Sequence, residues 1–197
     1  MSQAILLDLD KTILDTIRFY DNYFDTVEQQ YGKDKLAKFK QVCDETYSLQ
    51  GTARLDLAIE SIGGDINLVA KNLNNDYLFP DAKEFIKNNQ NLFILSMGET
   101  RSQGLKMKVT GLNIPIILVT KHRKAEWIKE NLLVGEKYLI NGEKFESIIF
   151  CDDRAENFIG FDVLPNAKGF LINRYNKKHN KLPRNVSEIK SLNEITE

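Results

Sequence analysis

Cysteine is scarce in this chain: the two present, Cys43 and Cys151, lie far apart without metal-ligand spacing. A thiolate metal site therefore has no support, Cys151 reads as a small core residue closing an apolar run, and a reducing cytoplasm fits. An excess of charge of either sign is missing too, with 27 basic against 28 acidic residues. That balance argues against a long-range field for a nucleic acid or a membrane surface and leaves any phosphate recognition to local groups. No apolar run approaches membrane-spanning length, and the N-terminus lacks the basic segment and long apolar stretch of a signal peptide. The expectation is a soluble, cytoplasmic protein. Internal repeats and low-complexity segments are lacking as well.

What is present is length for one sizeable core or a core plus a small subdomain, at 197 residues. Strand-like apolar runs recur at Ala4–Leu7, Leu92–Leu95, Ile114–Val119, Ile148–Cys151 and Lys168–Ile172, mostly separated by helical patterns. Near-continuous apolar strands alternating with helices predict a doubly wound, mostly parallel α/β sheet of Rossmann-like type. The stretch from Thr12 to Pro80 is too long for one crossover. Within it Ile17, Tyr20, Phe24, Val27 and Tyr31 step by three and four, predicting one buried helical face stopped at Gly32. Further helices are expected over 35–47, 53–62 and 66–75. The predicted organisation is a discontinuous core of residues 1–13 and 80–197 with a small helical cap over 14–79. The tail is polar and basic from Asn173 to Asn185, then reads as weakly helical through Val186 to Ile195.

The chemistry-bearing residues sit where the strands run out. Asp8 and Asp10 are spaced by two at the end of the first run, so an extended strand aims both to one side, with Thr12 just beyond. A solvated helix cap is the plain alternative. In LFILSMGET the Ser96 hydroxyl and the backbone N–H groups of Met97 and Gly98 form a turn able to donate to a phosphoryl oxygen. Lys124 opens a helical run, an end that favours anions rather than cations, so it asks for another role; Lys121, nearer the strand end, competes for it. Asp152 and Asp153 leave the buried run IIFCDD together, a pattern suited to a hard cation such as Mg²⁺, with Glu156 and Asn157 as further contacts.

The order Asp-x-Asp-x-Thr, Ser, Lys, Asp-Asp resembles the haloacid dehalogenase-like superfamily of phosphohydrolases over nearly the whole chain. The resemblance implies Asp8 as nucleophile and Asp10 as general acid/base. It further implies that Thr12, Ser96, Met97, Gly98 and Lys124 bind the phosphoryl group, and that Asp8, the Asp10 backbone carbonyl, Asp152 and Asp153 form the Mg²⁺ site. The insertion falls where many members carry a helical cap. Two positions depart from the pattern: Lys11 stands where many relatives have glycine, and Asp152-Asp153 replaces the commoner Gly-Asp. The expected function is Mg²⁺-dependent hydrolysis of a small phosphorylated metabolite through an aspartyl-phosphate, with a sugar phosphomutase as the alternative. From a different class comes a nucleic-acid-end or phosphopolymer-binding module, resting on Arg174, Tyr175, Lys177, Lys178, Lys181 and Arg184; near-zero net charge favours a solvated loop instead. Neither the individual substrate nor the oligomeric state is legible in these motifs.

Overall fold

A computed structural model describes residues 2–73, 76–120 and 122–195; Lys121 and the end of the helix expected over 66–75 lie outside the described residues. In chain order the elements are β1 (Gln3–Leu7), α1 (Thr16–Tyr31), α2 (Lys33–Gln50), α3 (Leu55–Ser61), α4 (Ile66–Lys71), α5 (Pro80–Asn88), β2 (Leu92–Met97), α6 (Thr100–Thr110) and β3 (Ile116–Val119). They continue with α7 (Lys124–Asn131), β4 (Leu133–Val134), β5 (Lys137–Ile140), β6 (Glu143–Phe145), β7 (Ser147–Asp152), β8 (Ala167–Ile172) and β9 (Val186–Ile189). Two compact units emerge, one of residues 2–14, 79–96 and 114–195, the other of 15–78 and 97–113. Residues 97–113, grouped with the core in the sequence reading, cluster with the helical insert.

In the first unit six strands, among the described residues, run in the order β3-β2-β1-β7-β8-β9. β1 pairs in parallel with β2 on one side and β7 on the other, and β7–β8 and β8–β9 are parallel too. Flanked by helices, this is an α/β sheet of Rossmann-like type. Leu6, Leu7, Ile148, Phe150 and Cys151 on the central strands are fully buried, as a sheet covered on both faces requires. Strand order reverses between β1 and β7, and at such a switch point the crossovers part and leave a crevice beyond the strand ends. The core beside β7 is aromatic: Phe158 packs 5.0 Å from Phe150 and 5.7 Å from Phe161.

Two features of this unit depart from the sequence expectation. Val186–Ile195 is not helical but supplies the edge strand β9 and a 3₁₀ turn at Leu192–Glu194, because pairing with β8 buries Val186 and Ile189. Residues 133–145 form a three-stranded antiparallel sheet, β4-β5-β6, that the sequence reading did not foresee. Its hairpin turns on Asn141 and Gly142, both at positive φ (51° and 85°), as a two-residue turn matching strand twist requires.

In the second unit α1 does stop before Gly32, but its buried face is Thr16, Phe19, Tyr23, Thr26 and Val27, rotated from the predicted stripe, and Ile17 is half exposed. Phe19 and Tyr23 are the aromatic anchors: Phe19 lies 5.4 Å from Tyr77 and Tyr23 stacks 5.6 Å from Phe39. Two adjacent apolar stripes on one helix share the same three-and-four spacing, so periodicity alone does not choose between them.

Gly169 on β8 faces a close approach: a Cβ there would meet Val186 Cγ2 at 2.8 Å and the Phe158 and Phe161 rings at 3.0 Å. Gly169→Ala is expected to cost about 1–3 kcal/mol through overpacking. Urea unfolding should show a lower midpoint at unchanged slope; an unchanged midpoint would mean that the aromatic pair yields freely.

Candidate active site

Adjacent strands bring the first and fourth motifs together. Leu7 pairs with Cys151, and the Asp8 N–H donates to the Cys151 carbonyl at 2.8 Å, so Asp8 and Asp152 leave neighbouring strands side by side at the switch point. Between them lies Lys124, 2% exposed at its side chain, whose ammonium donates to Asp8 Oδ1 and, at 2.8 Å, to Asp152 Oδ2. Lys124 sits at the first residue of α7 because Arg123 before it takes a left-handed backbone (φ 70°) and is fixed by its N–H donating to Asn157 Oδ1 at 3.1 Å. Asn157 in turn donates through Nδ2 to both oxygens of Asp152 at 2.9 Å, and the Arg154 N–H adds a third donor at 2.9 Å. Asp152 is fully buried and is oriented by these donors.

Asp8, Asp152 and Asp153 each offer an oxygen within 4.8 Å of the others. Burial pushes the Asp8 carboxyl up to about 8; Lys124 opposes the shift, while Asp152, Asp153 and Asp10 reinforce it. Burial works against the Lys124 ammonium, but Asp152 and Asp8 outweigh it and hold its pKa above the ordinary lysine value. Burial and the neighbouring Asp152 likewise raise Asp153, against the pull of Lys177. One buried ammonium does not neutralise this many carboxylates. Oxygen donors converging with surplus negative charge are what a hard divalent cation such as Mg²⁺ selects, so the residues present fit such an ion.

The remaining motif residues of the first unit lie in the turn after β1 and at the end of β2. The turn after β1 is closed by Leu14 N–H donating to the Leu9 carbonyl and by Lys11 N–H donating to Leu14, both at 2.9 Å. Lys11, at the position noted as glycine in many relatives, holds φ 63°, the left-handed backbone that glycine adopts without strain. Asp10, half-buried, forms an isolated bridge with Leu14 within this turn. Thr12 is fully buried and donates to Asp8 Oδ2 at 3.4 Å. Ser96 lies on β2 two residues past Ile94, which pairs with Leu7; it is 1% exposed, and its hydroxyl has no hydrogen-bond partner among the described residues. Met97 and Gly98 follow in the second unit. There Gly98 holds φ 146°, a Cβ on it would run into the Gln103 side chain, and Gln103 Nε2 donates to the Met97 carbonyl at 2.9 Å. Of the pair Lys121 and Lys124, the described Lys124 occupies the acidic centre.

Sequence reasoning missed three supports. Asn157 was expected only as a further metal contact, whereas it orients Asp152. Gln103, which no motif singled out, braces the turn after Ser96. Arg174, read as part of a basic loop, is 11% exposed at its side chain; its Nη2 donates to the Thr12 carbonyl and to Asp81 Oδ2, both at 2.9 Å, and its guanidinium lies 4.0 Å over the Phe79 ring. Only its contiguity with exposed lysines hid it, since nothing in a single sequence marks which cation of a basic run turns inward.

Neither a protein-family model nor a curated protein matches this chain. Solved structures do. A Burkholderia xenovorans LB400 protein designated a haloacid dehalogenase-like hydrolase is 14% identical, with 96% of this chain and 95% of that one covered at a TM-score of 0.66. The chain has the haloacid dehalogenase-like fold. A Bacillus subtilis protein designated a HAD-hydrolase and solved bound to magnesium shares it at 14% identity, 98% and 96% coverage and a TM-score of 0.62. So does a HAD phosphatase from Thermococcus onnurineus, at 17% identity, 98% and 95% coverage and 0.60. Within this haloacid dehalogenase-like fold the switch point between β1 and β7 holds the acidic centre described above.

Burial pushes the Asp81 carboxyl up, but Arg174, the Leu192 N–H and Ser191 outweigh it and hold it below the ordinary carboxylate range. A carboxyl depressed on folding contributes stability above its unfolded pKa of about 3.9, and loses it as pH falls through the folded value. Arg174→Met is therefore expected to cost about 2–4 kcal/mol at pH 7 by stranding Asp81. Urea unfolding repeated below about pH 3 should show the gap between the two proteins narrowing; a gap independent of pH would assign the loss to packing on Phe79.

Proposed function

We propose that the protein is a divalent-metal-dependent phosphatase acting on a small phosphate monoester through an aspartyl-phosphate. The observation that carries this reading is the convergence of Asp8, Asp152 and Asp153 oxygens within 4.8 Å of one another, with the buried Lys124 ammonium between Asp8 and Asp152. The unsatisfied Ser96 hydroxyl at the end of the strand beside Asp8 supports it further.

In this mechanism Asp8 attacks phosphorus. A carboxylate must be ionised to do so, and the burial that favours its protonated form has to be offset by cations. Lys124 supplies one such charge, since Asp152 and Asp8 outweigh its burial and favour the protonated ammonium. Asp8, Asp152 and Asp153, with the Asp10 backbone carbonyl that the family resemblance adds, would hold the divalent ion. When bound, that ion offsets the repulsion between the nucleophile and the phosphate and neutralises charge on the transferring group. Ser96 would donate to an equatorial oxygen, giving its buried hydroxyl the acceptor it lacks among the described residues. Asp10 delivers a proton to the leaving oxygen as the Asp8–phosphorus bond forms. It then takes a proton from the water that cleaves the acyl phosphate, releasing inorganic phosphate and restoring Asp8. Thr12, donating to Asp8 Oδ2, leaves Oδ1 as the oxygen that Lys124 steadies.

The polymer-binding alternative loses ground because Arg174 and Lys177, two of the cations on which it rested, are engaged with Asp81 and Asp153. The test is turnover on a panel of sugar phosphates, nucleoside monophosphates and an aryl phosphate with Mg²⁺. Asp8→Asn should reduce turnover by about 10³-fold or more, and Asp10→Asn by about 10²–10⁴-fold, with chelator abolishing activity. Equal turnover by Asp8→Asn and the parent would remove Asp8 as nucleophile, and chelator-insensitive turnover would remove the metal.

A further inference from the structure

The acidic centre carries a second cation that the motifs do not assign. Lys177 Nζ donates to Asp153 Oδ2 at 3.0 Å. The two side chains differ in exposure, 50% for Lys177 and 7% for Asp153, so the lysine approaches the carboxylates from the solvent side while Lys124 holds them from within. The contact is built rather than incidental. The loop after β8 is closed on Asn173, whose Nδ2 donates to the Lys177 carbonyl at 2.8 Å and whose Oδ1 accepts the Lys177 N–H at 2.7 Å. Asn173 Nδ2 also reaches Glu188 Oε1 at 2.7 Å, and Glu188 Oε2 meets His179 Nε2 at 2.7 Å, pinning the loop to β9 at a second point. Lys190 Nζ adds bonds to the Asn173 carbonyl at 3.2 Å and Asn176 Oδ1 at 2.5 Å. An exposed lysine whose backbone is fixed this firmly is aimed.

Charge decides what the aim accomplishes. Asp8, Asp152 and Asp153 carry three negative charges when ionised; Lys124 balances one from a position it cannot leave, and Lys177 balances a second from a position it can. A divalent ion seated on the same carboxylates would add two positive charges beside Lys177, and the ion and the Lys177 ammonium would then repel one another. We propose that Lys177 is an exchangeable counter-ion of the acidic centre, competing with the divalent cation for Asp153 and thereby raising the Mg²⁺ concentration at which the centre fills. This rests on the metal reading of the centre given above. It assigns Lys177 a positioning and competing role rather than contact with the reacting atoms.

The test is Mg²⁺ binding to the full chain by isothermal titration calorimetry, without substrate, for the parent, Lys177→Met, Lys177→Arg and Lys178→Met. The last removes the same formal charge one residue away and controls for net charge alone. Removing a competing cation is expected to tighten Mg²⁺ binding about threefold to tenfold in Lys177→Met, within the range that a part-exposed ion pair and a nearby like charge exert. Lys178→Met should change affinity less than about twofold, and Lys177→Arg should stay near the parent. The Lys177→Met effect should shrink in 0.5 M KCl, because a part-exposed charge is screened. Lys177 is half exposed, so the variants should keep the parent's melting temperature, which checks that each folds. Mg²⁺ binding in all four with Lys177→Met no tighter than Lys178→Met overturns the exchange role while leaving the metal reading intact. Absence of binding in parent and variants alike overturns the metal reading and this inference with it.

Discussion

Like charge held together at one end of a parallel sheet is the constraint around which this molecule is arranged. Asp8 and Asp152 are forced side by side by the register of β1 against β7, with Leu7 opposite Cys151. Backbone pairing over five residues sets that register, so the carboxylates cannot drift apart to relieve their repulsion without losing ladder hydrogen bonds. The relief has to come from cations brought to them. Lys124 is placed there by a left-handed residue, a helix start and an asparagine that bonds the helix start and the acid at once. Few of these groups serve packing, and all of them serve the placement of one ammonium among acids.

A second level of support keeps the loops from moving under that load. Arg174, in the loop after β8, holds the carbonyl of Thr12, and Asp81 holds Arg174 while accepting from Ser191 and Leu192. The turn that contains Asp10 and Lys11 is therefore fixed from outside as well as by its own hydrogen bonds. In the other unit Gln103 does comparable work for the turn at Met97 and Gly98. A site made of strand-end loops needs such braces, because short connections have few internal contacts to define their shape.

How much of this was legible in the sequence follows from which signals are local. Apolar runs announce buried strands, so the five core strands were readable, and the aspartates at their ends were readable as chemistry because nothing in packing calls for them. The edge strand β9 was not, since its two buried residues, Val186 and Ile189, are spaced by three and imitate a helix turn. The β4-β5-β6 sheet was missed although Asn141-Gly142 is a strong hairpin signal; its strands are only two to four residues long, and the longest apolar run within them, Tyr138 to Ile140, is too short to stand out. The rotated face of α1 shows the limit of periodicity when a helix is aromatic on two neighbouring stripes. Arg174 was illegible because its partner Thr12 lies 162 positions away and such pairing leaves no local trace; Gln103 and Asn157 act on Met97 and Asp152 only 6 and 5 positions back, but a single amide side chain belongs to no periodic pattern that would mark it.

The central position of β1 also orders events in time. On one side its neighbour is β2, more than eighty residues downstream, and on the other β7, which begins at Ser147. Parallel pairing at such separation pays the entropy of closing a long loop before any ladder bond rewards it, and is slow for that reason. During synthesis the strand that bears Asp8 must wait, with an unfilled flank, until Ile148 to Cys151 have been made. Lys124 precedes Asp152 in the chain, so the ammonium that Asp8 and Asp152 share has been synthesised before the two carboxylates can be brought side by side.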